Sequence, residues 1–377
     1  MKILLLSCST GEGHNHCALA VKEALDAAGH ETSFLDMLHM FGDPGPLSFD
    51  KLLNRISSRT PEVFGMMYHA GEMYSSTGVT SPVYLANLRH ARQLSAFVTE
   101  NGYDAVVCSH LFPMETLTFL RRHESFPVRC YGILSDYTCI PFLPETELDG
   151  YFLPHDEVRR SCVDAGLPAG RLFTTGMPVA RKFSLPLSKT DARAMLGLPE
   201  DKKIYLIMTG GIGCGDAVSL CDSILRVPDE NSLLCVLPGR NEELRAAIES
   251  GYQGRGVMAV PFTDKVAVYM RAADVLLSKA GGISSSEAAV LGVPLVHTMA
   301  IPGVETLNAE FFAAHGMSYF ARSTDEAARF ADRLIYDTSA AARMLRAQDT
   351  CLPKDGAEHI AGIICGGSLK SFRCANM

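Results

Sequence analysis

The chain has 377 residues and a formal net charge of −8, with 47% hydrophobic and 20% charged residues. This length exceeds what one ordinary hydrophobic core requires and predicts two domains. The acidic balance argues against a nucleic-acid-binding protein and against adsorption of the whole chain to anionic membrane, although a local basic face is still able to dock there. The 12 cysteines include no C-x-x-C pair, which is typical of reduced cytosolic thiols.

The N-terminal segment predicts a buried β-strand, because a short apolar run leads into the loop Gly11-Glu12-Gly13-His14. That run is too short for the apolar region of a signal peptide. No apolar run reaches the roughly 18 residues of a membrane-spanning helix. We therefore expect a cytoplasmic protein.

The predicted elements alternate between strands and helices, which is typical of parallel α/β sheets. A helix is expected over Cys17–Ala28, where Gly29 stops it. The predicted strands are Lys2–Ser7, Glu31–Leu35, Asp104–Ser109, Val128–Leu134, Tyr151–Leu153 and Leu172–Thr174 in the first half, and Lys203–Met208, Ser232–Leu237, Val257–Val260, Val275–Ser278 and Pro294–His297 in the second.

This order predicts an α/β protein with two doubly wound, Rossmann-like domains that face each other across a central cleft. The N-terminal domain is predicted over residues 1–185 and the C-terminal domain over 200–345, with a boundary in the proline-containing stretch between 181 and 200. The tail over 346–377 is expected to be helical and to return toward the N-terminal domain.

Residues 41–95 fit this alternation badly. The segment combines Pro44-Gly45-Pro46 with apolar stretches of helical spacing, and basic residues lie among them at Lys51, Arg55, Arg59, Arg89 and Arg92. One interpretation is an amphipathic element that faces a membrane. The other is ordinary packing helices with solvated charges.

The loop after the first predicted strand contains His14 at the start of a helix. A neutral imidazole at the carboxyl end of a strand can take a proton from an acceptor hydroxyl. The alternative is a histidine that only hydrogen-bonds the loop.

Two glycine-rich loops predict phosphate-binding backbone in the second half. Thr209–Gly215 contains four glycines, whose amides suit phosphate, although a flexible turn has the same composition. Gly281-Gly282 then opens a helix with three serines, Ser284 to Ser286, in its first turns. Glu287 lies one turn in, where a carboxylate can accept both hydroxyls of a ribose. The alternative is a serine-capped helix with an acid in its first turn.

The last loop, Ile301–Asn308, places Glu305 and Asn308 three residues apart on one helix face. Such a pair can hold sugar hydroxyls, and the alternative is a solvated helix start. The sequence has no Asp-x-Asp motif and no His/Cys/carboxylate cluster at metal-ligand spacing. A bound nucleotide diphosphate is therefore expected to be neutralised by helix N-termini, glycine loops and Lys279 or Arg240, with no metal and no cofactor.

In this order the motifs resemble those of the monogalactosyldiacylglycerol synthases and processive diacylglycerol glucosyltransferases, a GT-B family similar to glycosyltransferase family 28. The resemblance extends from residue 1 to roughly residue 320 and runs through Gly11–His14, Ser109–Phe112, Ser135–Tyr137, Asp149–Phe152, Thr175–Val179, Gly210–Gly213, Gly239–Asn241, Lys279–Glu287 and Pro302–Asn308. The chain departs from the family on the acceptor side: Glu12 replaces a glycine, Ser135 replaces a threonine, and no tryptophan follows, so Phe142 is the candidate aromatic.

The resemblance implies roles for named residues. It implies that His14 or Asp136 is the catalytic base and that Glu287 holds the ribose of UDP. The other implied donor-binding residues are Gly211, Gly213, Arg240, Asn241, Phe262, Gly281, Gly282, Ser284, Glu305 and Asn308, and those on the acceptor side are Gly11, Gly13 and His110.

The implied reaction moves a hexose, galactose or glucose, from a UDP-sugar to a lipid acceptor, diacylglycerol, with inversion and without a metal. We expect it at the inner face of the membrane, to which the protein would bind peripherally. Three alternatives stay open: transfer to a polyprenyl-diphosphate peptidoglycan precursor, epimerisation of a UDP-sugar, and UDP-sugar binding without catalysis. The sequence does not indicate an oligomeric state.

Overall fold

The computed structural model describes residues 1–8, 12–37, 61–75, 77–211, 213, 216–226 and 230–366. The chain divides into two compact units. The first comprises Met1–Arg181, Ile301–Val304 and the described residues from Pro353 onward, and the second comprises Lys182–Ala300 and Glu305–Leu352. Each unit is built on one six-stranded parallel sheet with flanking helices, which confirms the predicted α/β fold class. The predicted domain bounds at 185, 200 and 345 stay a prediction.

The elements of the first unit follow the predicted alternation. They are β1 (Lys2–Ser7), α1 (Glu12–Ala27), β2 (Glu31–Asp36), α2 (Pro61–Ser75), α3 (Pro82–Asn87), α4 (Ala91–Glu100), β3 (Ala105–Cys108), α5 (Leu111–His123), β4 (Arg129–Ile133), β5 (Gly150–Leu153), α6 (Asp156–Asp164) and β6 (Leu172–Thr174). The sheet order is β2-β1-β3-β4-β5-β6.

The second unit repeats this architecture. Its elements are α7 (Lys189–Leu196), β7 (Lys203–Met208), α8 (Ala217–Ile224), β8 (Ser232–Leu237), α9 (Glu242–Gly251), β9 (Val257–Ala259), α10 (Val266–Ala272), β10 (Val275–Lys279), α11 (Gly282–Leu291), β11 (Leu295–Met299), α12 (Val304–Ala314), β12 (Tyr319–Phe320), α13 (Thr324–Tyr336) and α14 (Thr338–Cys351). The sheet order is β12-β11-β10-β7-β8-β9. The final helix, α15 (Gly356–Ile364), belongs to the first unit and packs against α1.

Each sheet has a point where the winding of the chain reverses. In the first sheet this point lies between β1 and β3, and in the second it lies between β7 and β10. At such a point the segments that follow the two strands leave toward opposite faces, and a crevice opens at the carboxyl ends of the strands. His14 and His110 lie in the segments that follow β1 and β3, and the glycine loops follow β7 and β10.

All eleven predicted strands are present, with ends that shift by at most two residues. The predicted start of the first helix is wrong, because α1 begins at Glu12 and not at Cys17. Gly13 lies in the first turn, where a poor helix former is tolerated. The negative charge of Glu12 stabilises the helix, because it lies near the positive end of the helix dipole. The strand β12 was not predicted, since two residues carry no period.

The segment predicted over 41–95 is described only in part. Residues 38–60, with Lys51, Arg55 and Arg59, lie outside the described residues. The remainder forms α2, α3 and α4. In the part of the chain that the structure describes, no helix has both the length and the apolar content that crossing a membrane requires.

A buried carboxyl group joins α3 to α5 in the first unit. Glu115 is fully buried, and the Asn87 side-chain amide donates a hydrogen bond of 2.5 Å to its Oε2. Burial raises the pKa of Glu115 to about 9, the neighbouring Glu145 carboxylate adds to this, and the Asn87 hydrogen bond opposes it. Glu145 in turn accepts hydrogen bonds from the backbone and hydroxyl of Ser81, the N-cap of α3. Glu115 is therefore protonated at neutral pH.

We expect Glu115→Gln to reduce the pH dependence of stability. Because the folded pKa of about 9 exceeds the ordinary value of 4.5, the folded state keeps a proton that the unfolded state loses, and stability falls as pH rises through this window. The slope is at most about 1.4 kcal/mol per pH unit. The free energy of unfolding, measured with urea at pH 5 and pH 8, should fall less with pH in Glu115→Gln than in the wild type. The exposed Glu100→Gln is the control, and equal behaviour of the two variants would contradict the interpretation.

Candidate functional site

His14 lies in the first turn of α1, at the switch point of the first sheet. Its Nδ1 is 2.9 Å from the Ser109 carbonyl oxygen and 3.0 Å from the Ser135 hydroxyl. A carbonyl only accepts, so Nδ1 of neutral His14 carries the proton. Nε2 is then the nitrogen with the lone pair, and it is the atom that can take a proton from an acceptor.

Asp136 is linked to His14 through Ser135. The Ser135 hydroxyl donates a hydrogen bond of 3.3 Å to Asp136 Oδ2 while it contacts His14 Nδ1. Burial lowers the pKa of His14, and the Asp136 carboxylate and the Ser109 carbonyl oppose part of that shift. Asp136 therefore favours the imidazolium that forms when the ring of a mainly neutral His14 takes up a proton.

His110 packs against His14 and orients it. The ring centroids are 4.7 Å apart in an edge-to-face arrangement. His110 Nδ1 accepts from the Phe112 backbone amide and caps α5, so this nitrogen is unprotonated. Burial, with a smaller effect of His14, lowers the pKa of His110 well below its usual value. His110 is thus neutral, and it does not repel the positive charge that His14 gains when it takes up a proton.

The structure brings together the predicted residues His14, His110 and Asp136, and they line one small cavity. Sequence reasoning missed Ser109, which acts through its backbone, and treated Ser135 only as a departure from the family. The signal for Ser135 was its position directly before Asp136. Gly13 lies in the first turn of α1, and Gly11 lies outside the described residues.

Two loops of the second unit interlock through glycines. The Arg240 amide donates to the Gly211 carbonyl at 3.0 Å, and the Asn241 side chain donates to the Gly213 carbonyl at 3.1 Å. Gly239 has φ +64°, and a Cβ added there would lie 2.3 Å from the Gly210 carbonyl oxygen. A Cβ on Gly213, with φ +75°, would lie 2.4 Å from the Pro238 carbonyl oxygen. Only glycine allows this backbone approach.

Arg240 and Phe262 form a flat surface beside the interlocked loops. The Arg240 guanidinium lies 4.5 Å from the centroid of the Phe262 ring, a cation–π contact, and Phe262 is 57% exposed. Asn241 caps α9 by accepting from the Leu244 amide. An exposed aromatic ring next to a guanidinium suits stacking by a nucleobase.

The three serines of α11 have different surroundings. Ser285 contacts Nε2 of the buried His297 at 2.9 Å, and Ser286 donates to the Gly282 carbonyl at 2.7 Å. Ser284 is the partly exposed member of the three. Gly281 is the N-cap of α11 and provides no side-chain cap for the amides of the first turn, which are the groups that bind anions at helix N-termini.

Glu287 lies buried one turn into α11. Burial raises its pKa to about 8, and Lys182 opposes the shift. At neutral pH the group is mainly protonated, and it can both donate and accept hydrogen bonds. A protonated carboxyl also avoids repulsion with an anion at the start of the same helix.

Glu305 and Asn308 lie in α12 and are both buried. Glu305 forms an ion pair of 2.5 Å with Lys279. The Asn308 side chain donates to the Ala280 carbonyl at 3.2 Å and so holds α12 against the loop after β10. The predicted sugar contact of Asn308 stays a prediction.

Two family models match this chain. Residues 14–179 match the monogalactosyldiacylglycerol (MGDG) synthase model, and residues 216–337 match the glycosyltransferase family 28 C-terminal domain. Two similar curated proteins carry the name processive diacylglycerol beta-glucosyltransferase. The Bacillus cytotoxicus protein is 26% identical over 96% of this chain and 93% of its own length, and the Bacillus mycoides protein is 27% identical with the same shares.

Solved structures show a similar fold. MurG of Acinetobacter baumannii has a TM-score of 0.61 at 16% identity, over 97% of this chain and 99% of its own. HepE of Anabaena, in complex with UDP-glucose, has a TM-score of 0.59 at 14% identity, over 97% and 98%. These similarities confirm the predicted GT-B fold.

We expect Gly239→Ala to weaken binding of UDP, because the added Cβ forces the interlocked loops apart. Gly254→Ala is the matched control: its φ of +73° carries the same backbone cost, but nothing lies within 4 Å of an added Cβ. Thermal melting should show a loss for both variants, which is larger for Gly239→Ala because of its added clash, whereas titration with UDP should show at least about a tenfold loss for Gly239→Ala alone. Equal affinities in the two variants would contradict a role for the loops in binding.

Proposed function

We propose that this chain, a member of the glycosyltransferase family that includes MGDG synthases and processive diacylglycerol glucosyltransferases, transfers a hexose from a UDP-sugar to diacylglycerol. The observation that carries the proposal is the pairing of two sites on one chain. The first unit holds a polar cluster with a basic imidazole nitrogen, and the second holds anion-binding backbone beside a nucleobase-sized surface.

The donor is held by the second unit. The uracil stacks against the Arg240–Phe262 surface, and Glu287 forms hydrogen bonds with the ribose hydroxyls. The loops around Gly211 and Gly213 and the first turn of α11, with Gly281, Gly282 and Ser284, take the diphosphate. Backbone amides aimed at an anion stabilise the departing UDP without rearrangement, which is the electrostatic part of catalysis.

The acceptor reacts at His14. Nε2 of His14 takes the proton of the diacylglycerol hydroxyl as its oxygen attacks the anomeric carbon, the bond from that carbon to UDP breaks, and the electron pair leaves with UDP. Asp136, through Ser135, stabilises the imidazolium. One displacement inverts the anomeric centre, so an α-linked donor gives a β-linked glycolipid. We propose that the transfer proceeds without a metal or other cofactor.

The first unit also has a surface suited to a lipid bilayer. Exposed apolar side chains recur along one face of α2 at helical spacing, and they are Val63, Met66, Met67, Met73 and Tyr74. Val79 and Leu85, which follow α2, are 59% and 60% exposed. We call this set the α2 face. An acceptor that resides in a bilayer requires contact with that bilayer, and an amphipathic helix lying in the interface provides it. We propose peripheral association with the membrane through the α2 face.

The proposed reaction is tested with labelled UDP-glucose and UDP-galactose, supplied side by side to vesicles that contain diacylglycerol. We expect a β-linked glycosyl diacylglycerol, and we expect His14→Ala to reduce turnover by about 10²- to 10⁴-fold, the contribution of a general base. UDP affinity should be unchanged in His14→Ala, since the donor contacts lie in the second unit. Undiminished turnover in His14→Ala would exclude this residue as the base, and Asp136→Asn would then be compared.

The alternatives give different products in the same assay. An epimerase would convert UDP-N-acetylglucosamine without any lipid, and a peptidoglycan-type transferase would label only a polyprenyl-diphosphate acceptor. A non-catalytic protein would bind UDP and label neither lipid. Any of these results would overturn the proposed transfer to diacylglycerol.

We expect the double substitution Met66→Asp and Met73→Asp to reduce binding to phospholipid vesicles, because it places two charges on the α2 face. Met195→Asp is the matched control, since Met195 is also an exposed methionine, at 59%, and lies in the second unit. Vesicle cosedimentation measures the effect, and UDP titration checks that both variants keep the donor site. Equal vesicle binding by the two variants would exclude the α2 face as the membrane contact.

A further inference from the structure

Lys279 occupies the switch point of the second sheet. It is the last residue of β10, and the preceding residue, Ser278, pairs with Met208 at the end of β7. The register between β10 and β11 shifts between Ser278 and Lys279. Such irregularities re-aim the side chain that follows and are frequent beside active sites. The position is therefore one at which this fold binds ligands.

The lysine side chain lies alongside both glycine loops. A Cβ added to Gly210 would lie 2.9 Å from Lys279 Cε, and one added to Gly281 would lie 4.0 Å from the same atom. Gly210 belongs to the loop after β7, and Gly281 is the N-cap of α11. The absence of a side chain at Gly210 leaves room for the lysine stem, and a Cβ at Gly281 would lie only in van der Waals contact with it.

The ammonium group of Lys279 forms an ion pair with Glu305. Lys279 Nζ lies 2.5 Å from Glu305 Oε1, and the side chains are 27% and 9% exposed, respectively. A carboxylate buried to this degree requires a nearby positive charge. The pair thus satisfies Glu305 in the protein without donor, and the more exposed partner is the cation.

We propose that Lys279 is a shared cation, which pairs with Glu305 in the free protein and with the diphosphate of the bound donor. The inference rests on the proposed function and adds a substrate-contacting residue to it. A diphosphate carries more negative charge than one carboxylate, and it arrives next to the lysine stem. When the ammonium moves to the phosphates, Glu305 is released to accept hydrogen bonds from the sugar, so donor binding itself prepares the sugar contact.

A shared cation predicts opposite effects for its two partners. Lys279→Met removes the charge that the diphosphate uses, so UDP affinity should fall by about ten- to hundredfold. Glu305→Gln removes the competitor for the ammonium, so UDP affinity should rise by about two- to fivefold, while hexose transfer falls because a neutral amide oxygen accepts more weakly from the sugar than a carboxylate does. An ion pair with only a structural role predicts that both substitutions weaken UDP binding together.

The experiment is titration of the full chain with UDP, with thermal melting of each variant as the check on folding. Lys279→Arg retains the charge and should retain most of the affinity. Lys202→Met is the matched control, since Lys202 directly precedes β7 and therefore lies at the amino end of the strand, whereas Lys279 lies at the carboxyl end of β10. The double variant Lys279→Met with Glu305→Gln leaves no buried carboxylate without a cation, so it should fold and still bind UDP weakly.

The outcomes separate this inference from the proposed function. Weakened binding in Lys279→Met and in the double variant, with strengthened binding in Glu305→Gln, supports the shared cation. UDP affinity within twofold of the wild type in Lys279→Met, or a loss in Glu305→Gln as large as that in Lys279→Met, overturns it while leaving the proposed function intact. A wild-type protein that does not bind UDP would overturn the proposed function and this inference with it.

Discussion

A parallel sheet that winds in both directions from its centre must leave two neighbouring strands whose following segments diverge. In this protein that constraint acts twice, between β1 and β3 and between β7 and β10. The divergence leaves backbone amides and side chains at the carboxyl ends without a covering helix. His14 and His110 meet at the first of these places, and Gly210 and Lys279 lie side by side at the second.

The titratable groups of the two candidate sites differ in kind: the first unit has neutral histidines, and the second has a protonated carboxyl group. The first unit keeps a neutral imidazole poised by hydrogen bonds, and burial lowers the pKa of both His14 and His110. The second unit places Lys279 beside Gly210, and burial keeps Glu287 mainly protonated. A general base requires a lone pair, and a site for an anion requires the absence of competing negative charge. The two environments therefore suit the two halves of a group transfer.

Much of the fold was predictable because buried parallel strands are short apolar runs, and their alternation with helices fixes the class. The positions of the glycine loops were predictable as well, since glycine clusters directly after apolar runs mark the turns that end strands. The link from His14 through Ser135 to Asp136 was not, because it joins segments that are 121 residues apart in sequence. The same holds for the ion pair of Lys279 with Glu305, which depends on how β10 and α12 are packed.

Some polar side chains that the sequence predicted as ligand contacts form hydrogen bonds within the protein. Three adjacent serines lie at the predicted phosphate-binding helix start, yet Ser285 and Ser286 have partners inside the unit. Asn308 also has a partner within the protein, since its side-chain amide donates a hydrogen bond to the Ala280 carbonyl. Polar residues near a helix start serve both ligand binding and helix anchoring, and only the packing of the neighbouring strand distinguishes the two uses.

The mutual support of Gly213, Gly239 and Asn241 has a thermodynamic consequence. The described residues of the two loops are fastened to each other, because the Arg240 amide donates to the Gly211 carbonyl and the Asn241 side chain donates to the Gly213 carbonyl. The ordering entropy of these residues is lost during folding. If the proposed donor binds there, complex formation does not have to supply that entropy again, which favours affinity for a ligand held by weak dipoles.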